Sequence, residues 1–288
     1  QFFVREISGI VLIFGQEGLS VSDLVLVRYG AMDNKDPFRA PDGQPKRGAD
    51  VIVRSGRGVE WGQVVCNIPS DCKERHRQKP VGKVLRTCKE ADYKKREDVK
   101  EKEEEEYHYC REAIRRHDLP MKLITVEHLF GGNKIIFFFL ADRRVDFREL
   151  VKDLAHKYRT RIEMRQVGIR DEARLLGRYG CCGRELCCRA FLKEMKPVPM
   201  KMAKSQKSTL DPAKISGRCG RLKCCLRYED KQYKELKKYL PRRGATVKTE
   251  KGEGIVVSYH VLKQSVEVKL DDENKESFKA EDVEVVKD

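Results

Sequence analysis

The sequence predicts an α+β protein with an N-terminal β region, a long charged helix, a central α+β domain bearing a cysteine motif, and a small C-terminal SH3-like β-barrel. Three observations predict it. Short β-branched runs broken by glycine open the chain, a run of mixed charge without proline follows, and a strand–strand–helix–strand pattern precedes a second set of short strands. These shifts divide the chain at residues 1–80, 81–118, 119–241 and 242–288.

Asp23 to Tyr29 and Val51 to Val53 are rich in apolar and β-branched residues, and Val59 to Val65 carries the single tryptophan, Trp61, behind a turn at Gly58. Between them, Met32 to Arg47 is rich in Gly, Pro and Asp and reads as a loop. From Val81 to Asp118, eleven basic and eleven acidic residues cancel, which favours opposite charges one helical turn apart. That stretch is expected to form one long helix or a helical hairpin projecting from the body, with Glu103 to Glu106 as a solvated face rather than a metal site. Lys122 to Phe130 and Lys134 to Ala141 flank Gly131-Gly132-Asn133, a hairpin signal. Phe147, Leu150, Val151, Leu154 and Tyr158 recur at helical spacing, so Asp146 to Tyr158 reads as an amphipathic helix, and Thr160 to Val167 as the next strand. After Pro241, the runs Gly244 to Val247, Gly254 to His260 and Ser265 to Leu270 read as strands of the small barrel, closed by Val283 to Val286.

The 288 residues carry a net charge of +15, unevenly spread. Arg178 to Arg243 holds nineteen Lys/Arg against six Asp/Glu, while Gly244 to Asp288 holds seven against eleven. A basic segment attracts polyanions, of which nucleic acid is the commonest in a cytoplasm; a lysine-rich soluble face explains the charge equally well. No run approaches the roughly 20 apolar residues of a membrane span, and no signal-peptide pattern opens the sequence. The expectation is a soluble cytoplasmic protein without membrane insertion. The six histidines are scattered, and neither a nucleophile–base pattern nor a phosphate loop is present, so catalysis is not expected.

One motif stands above the rest. Cys182-Gly183-Arg184-Glu185-Leu186-Cys187-Cys188 is echoed 37 residues later by Cys219-Gly220-Arg221-Leu222-Lys223-Cys224-Cys225, with five of seven positions identical. Thiolates are soft anionic ligands suited to zinc and to iron in clusters. Two thiols with four residues between them can meet at one centre if the loop turns tightly, and Gly183 and Gly220 tolerate the positive φ that such a turn needs. Arg184 and Arg221 would favour thiolate over thiol and offset the charge of a thiolate-bound centre.

Other readings compete. Adjacent cysteines such as Cys187-Cys188 rarely bridge each other, and cytoplasmic thiols stay reduced. Inert buried cysteine suits the unpatterned Cys66, Cys72, Cys88 and Cys110 but not the doubled septets. Structural zinc usually takes cysteines with two residues between them, whereas the four intervening residues here also occur in plant-type ferredoxins. The spacing leans toward iron–sulfur and leaves zinc open. Asp211-Pro212 reads as the cap and first turn of a short helix delivering Cys219, and Lys223 to Leu240 as a terminal helix with a basic outer face.

Leu176-Gly177, both septets, Lys201-Met202-Ala203-Lys204 and Lys214-Ile215-Ser216-Gly217 running through Tyr228 closely resemble the RicT (YaaT) family of bacterial regulators, which carry the polymerase-suppressor (PSP) C-terminal domain. The resemblance is dense from Asp118 to Pro241 and looser on either side. It implies a cytoplasmic, non-catalytic subunit that joins two small helical partners in a complex carrying 4Fe–4S clusters. Such a complex adjusts the membrane-tethered endoribonuclease RNase Y during mRNA maturation, and in spore formers the family is also linked to the sporulation phosphorelay, competence and biofilm formation. The family cysteines fall here on Cys182, Cys187, Cys188, Cys219, Cys224 and Cys225, with Gly183, Arg184, Gly220 and Arg221 shaping the loops; Cys181 occupies a position that is not generally cysteine. RNA contact through residues 178–243 is a further expectation, from charge. The rivals are an RNA- or ribosome-binding protein with structural zinc, and a thiol-based redox sensor.

Overall fold

The computed structural model describes residues 6–7, 10–11, 23–40, 43–69, 79–192, 195–270 and 275–287. It divides into two compact units, residues 1–176 and 177–288. The division falls inside the 119–241 stretch that the sequence pattern groups together, so the hairpin–helix–strand and the cysteine loops belong to different bodies. The fold is mixed α+β.

Unit 1 begins with a two-residue pairing of β1 (Glu6–Ile7) and β2 (Ile10–Val11). A closed barrel follows, from β3 (Leu24–Tyr29), β4 (Asn34–Arg39), β5 (Asp50–Ser55), β6 (Val59–Asn67) and β7 (Gly82–Thr87), in the order β3-β4-β7-β5-β6. Alternation along β3 sends Val25, Val27 and Tyr29 inward, where they meet Phe38, Val51, Val53, Val64 and Val84. Two expectations are corrected here. Met32 to Arg47 is not all loop, because β4 lies within it. Pro37 there sits opposite Leu26, and its carbonyl accepts from Val81 N–H at 3.0 Å. Residues from Gly82 to Thr87 are a strand rather than the start of a helix, because pairing with β4 and β5 closes the barrel and outweighs local charge.

The helix α1 (Glu90–Arg116) is continuous over 27 residues, with acidic Glu90 and Asp92 in its first turn and Arg115 and Arg116 in its last, matching the helix dipole. It does not simply project. Cys110, Ala113 and Ile114 are buried against β8 (Lys122–His128) and its neighbours. β9 (Lys134–Leu140) pairs antiparallel with β8 and parallel with β10 (Arg161–Gln166), which it reaches through α2 (Arg148–Tyr158). As the middle strand, β9 is covered on both faces: Ile135 and Phe137 face α1 and α2, while Ile136 and Phe138 face Met32, Leu129 and Val167. That explains its continuous apolar run. The short α3 (Ile169–Leu176) ends the unit.

A polar knot ties the barrel, sheet and helix of this unit together. Arg57 pairs with both Glu60 and Glu127, and Glu127 accepts from Ala31 N–H at 3.0 Å. Glu106 meets His128 Nδ1 at 2.7 Å, and Glu103 accepts from His128 N–H at 2.8 Å. Of the expected solvated face, Glu106 is therefore buried and Glu103 half-buried, while Glu104 and Glu105 stay exposed.

In unit 2, the helices α4 (Cys187–Ala190), α5 (Met200–Ser205), α6 (Pro212–Ile215) and α7 (Cys224–Lys237) carry the cysteine segment. Asp211 caps α6 by accepting from Ala213 N–H at 3.0 Å, with Pro212 in the first turn. The C-terminal strands β11 (Thr246–Thr249), β12 (Gly252–His260), β13 (Ser265–Leu270), β14 (Lys275–Lys279) and β15 (Glu284–Lys287) form an antiparallel sheet in the order β14-β13-β12-β11-β15. Among the described residues its two ends do not pair, so the closed barrel lies at the N-terminal end of the chain rather than here. The charged β14 is the strand that patterning passes over. Val247, Val256, Val266 and Val268 form the core of this sheet, with Tyr233, Leu236 and Leu240 packed on it.

Candidate metal centre

The thiols sit on two copies of one backbone unit. In the first, Gly180 N–H donates to Arg184 O at 2.8 Å, Gly183 N–H to Gly180 O at 3.1 Å, and Leu186 N–H to Arg178 O at 3.0 Å. In the second, Gly217 N–H donates to Arg221 O at 2.8 Å, Gly220 N–H to Gly217 O at 3.0 Å, and Lys223 N–H to Ile215 O at 2.9 Å. One bridge braces each loop, Tyr179 with Glu185 and Ser216 with Leu222. Gly183 and Gly220 turn at φ of +75° and +71°, a region a Cβ disfavours. Each loop then runs straight into a helix, so Cys187 and Cys188 open α4 as Cys224 and Cys225 open α7. The equivalence covers 178–191 and 215–228, well beyond the septets.

The loops converge through their second cysteines. Cys187 lies within hydrogen-bonding reach of Cys224, and Cys182 and Cys225 are near enough to act on its charge. Burial first, and then those neighbouring sulfurs, push the Cys187 thiol up to about 12. Cys225 is raised too, by burial and by Glu229 and Cys224, against a hydrogen bond from Leu226 N–H. At Cys187 burial is the largest cause of the shift and the neighbouring thiols come next. Arg184 and Arg221 are exposed at the loop tips. Crowded thiols repel one another as thiolates, and a cation between them removes that repulsion.

Cys219 is half-buried beside Gly217, Cys188 is half-buried at the start of α4, and Cys181 and Cys182 are exposed. None of the ten described cysteines is in a disulfide. Among the described residues, no group of three or more His, Cys, Asp or Glu side chains is placed to hold a metal ion. The donor set is a converging group of thiols, chemically suited to iron–sulfur or zinc. Cys110, by contrast, is wholly buried, its thiol pushed up to about 12 by burial, as an inert core cysteine should be.

Patterning by cysteine stops the repeat too early. Phe191 and Tyr228, each three residues past the last cysteine of its septet, stack edge to face with centroids 5.0 Å apart. An aromatic at the same offset in both copies was the available signal. Nearby, Arg227 Nε donates to Pro197 O at 3.0 Å, anchoring the proline-braced connection to α7.

Sequence comparisons place the chain among proteins of the PSP1 type. The family model for the PSP1 C-terminal conserved region matches residues 82–167, from β7 to the end of β10, and that for the PSP1-like protein, third domain, matches 197–240, leaving the first septet between them. The chain is 46% identical over 220 residues to the stage 0 sporulation protein YaaT of Bacillus subtilis (strain 168), covering 76% of this chain and 80% of that protein. It belongs to the RicT (YaaT) family. A 55-residue stretch is also 42% identical to the uncharacterized protein PB7E8.02 of Schizosaccharomyces pombe, 19% of this chain and 7% of that one. No solved structure gives a significant match. Among the described residues no helix is long and apolar enough to cross a membrane.

Proposed function

We propose that the chain is a non-catalytic, cytoplasmic regulatory subunit whose twin loops hold an iron–sulfur cluster, of the 4Fe–4S type that the family resemblance implies. In this reading it joins small helical partners and modulates RNase Y-dependent mRNA processing; its relative's name, a stage 0 sporulation protein, adds a developmental setting. The observation that carries the reading is the convergence of two equivalent loops at Cys187 and Cys224, with Cys182 and Cys225 beside them. Cys188 and Cys219 complete the family's set, on the same repeat. Gly183 and Gly220 permit the turns, and exposed Arg184 and Arg221 offset the negative charge of a thiolate-bound cluster. Once bound, such a cluster supplies an oxygen-sensitive link between the loops.

The test is replacement of Cys187 by Ser in protein isolated without oxygen. Iron and sulfide should both fall well below the parent's content. Unchanged content in Cys187→Ser, and again in Cys224→Ser, would remove the loops from the site. Zinc without sulfide in the parent would favour the structural-zinc reading.

A further inference from the structure

Phe191 and Tyr228 hold the same place in the two halves of the cysteine repeat. Their rings meet at 66°, yet Phe191 stays 52% exposed and Tyr228 56%. Two large rings packed edge to face and half open to water form an apolar face without a cover among the described residues. The segment that carries them has a surplus of thirteen positive charges between Arg178 and Arg243, with Arg184, Arg218, Arg221, Lys201 and Lys204 all exposed. The chemistry that answers both features is a flexible polyanion with planar faces. Bases stack on exposed aromatics while phosphates meet Lys and Arg, the common scheme for single-strand binding. An acidic protein surface answers the charge and meets the rings only where it also presents aromatic side chains, whereas every base of a nucleic acid carries a planar face.

We propose that the Phe191–Tyr228 pair is a base-stacking platform for single-stranded RNA. The choice of RNA rests on the RNA-processing reading above; the stacking chemistry does not. The test is fluorescence anisotropy with a labelled, unstructured RNA strand and the whole chain isolated without oxygen. A Phe191→Leu/Tyr228→Leu double variant keeps apolar bulk and removes both rings. It should bind at least about tenfold more weakly, since stacking is worth roughly 1–3 kcal/mol per base. Its salt dependence should stay unchanged, because phosphate contacts set that slope. Phe191→Tyr should bind like the parent. Parent-like affinity of the double variant, or no binding by the parent, would overturn the platform and leave the face to a protein partner. Tighter binding to a DNA strand of the same sequence would overturn the choice of RNA. Iron and sulfide counts on the same samples separate the two readings. Ring-dependent binding without a cluster keeps the platform and sinks the cluster, while an intact cluster with ring-independent binding does the reverse.

Discussion

Gly183 has nothing within 4 Å of the place a Cβ would take, so an alanine there meets only the cost of its own left-handed backbone. That cost is about 1–2 kcal/mol. Gly183→Ala should therefore lower the stability of the cysteine unit by about that amount in denaturant titration, with Gly220→Ala alike because its turn is the same. Glu103 makes a different prediction at the same scale. Burial pushes its carboxyl from the ordinary 4.5 up to about 7, with Glu127 and Glu106 adding to the shift and the His128 N–H and ring opposing it. The folded chain therefore binds that proton more tightly than the unfolded chain does, so the contribution is complete below about 4.5 and is lost as pH rises through about 7. Glu103→Gln should flatten the decline in stability across that window, and a decline as steep as the parent's would contradict the assignment. The septets were legible in the sequence because identity at five of seven positions is a local fact. Which sulfurs meet was not, because the meeting of Cys187 with Cys224 depends on how the intervening residues fold back.

Among the elements, β7 shows where local reading fails. Its residues carry charge and sparse apolar groups, as α1 does, but Gly82 stands where β7 enters the barrel. A Cβ there would lie 1.9 Å from the carbonyl oxygen of Arg54. Backbone cannot retreat as a side chain can, so Gly82→Ala should destabilise unit 1 by about 3 kcal/mol, the upper end of what overpacking costs, read in thermal melts. Barrel closure itself was invisible to patterning, because β3 pairs with β6 and β5 with β7, across intervening chain. By contrast, α2, β8 and β9 were legible to within a few residues, because their apolar periodicity and the glycine turn are local. The cap of α6 was legible for the same reason. Asp211→Ala removes the acceptor of the Ala213 N–H and should cost about 1 kcal/mol.

At the scale of the molecule, the cysteine loops share a compact unit with the C-terminal sheet, while the barrel and the β8–β9–β10 sheet form the other. A cluster held by the loops would stabilise its own unit first, because ligands that bind only the folded form add their binding energy there. Removing the metal should raise hydrogen exchange in α4 to α7 and leave β5, β6 and β9 protected. The most direct measurement of the central claim is the metal content of the whole chain isolated without oxygen. The account predicts iron and acid-labile sulfide in equal amounts, with visible absorption that bleaches in air. Stoichiometric zinc without sulfide, or no bound metal at all, would contradict it.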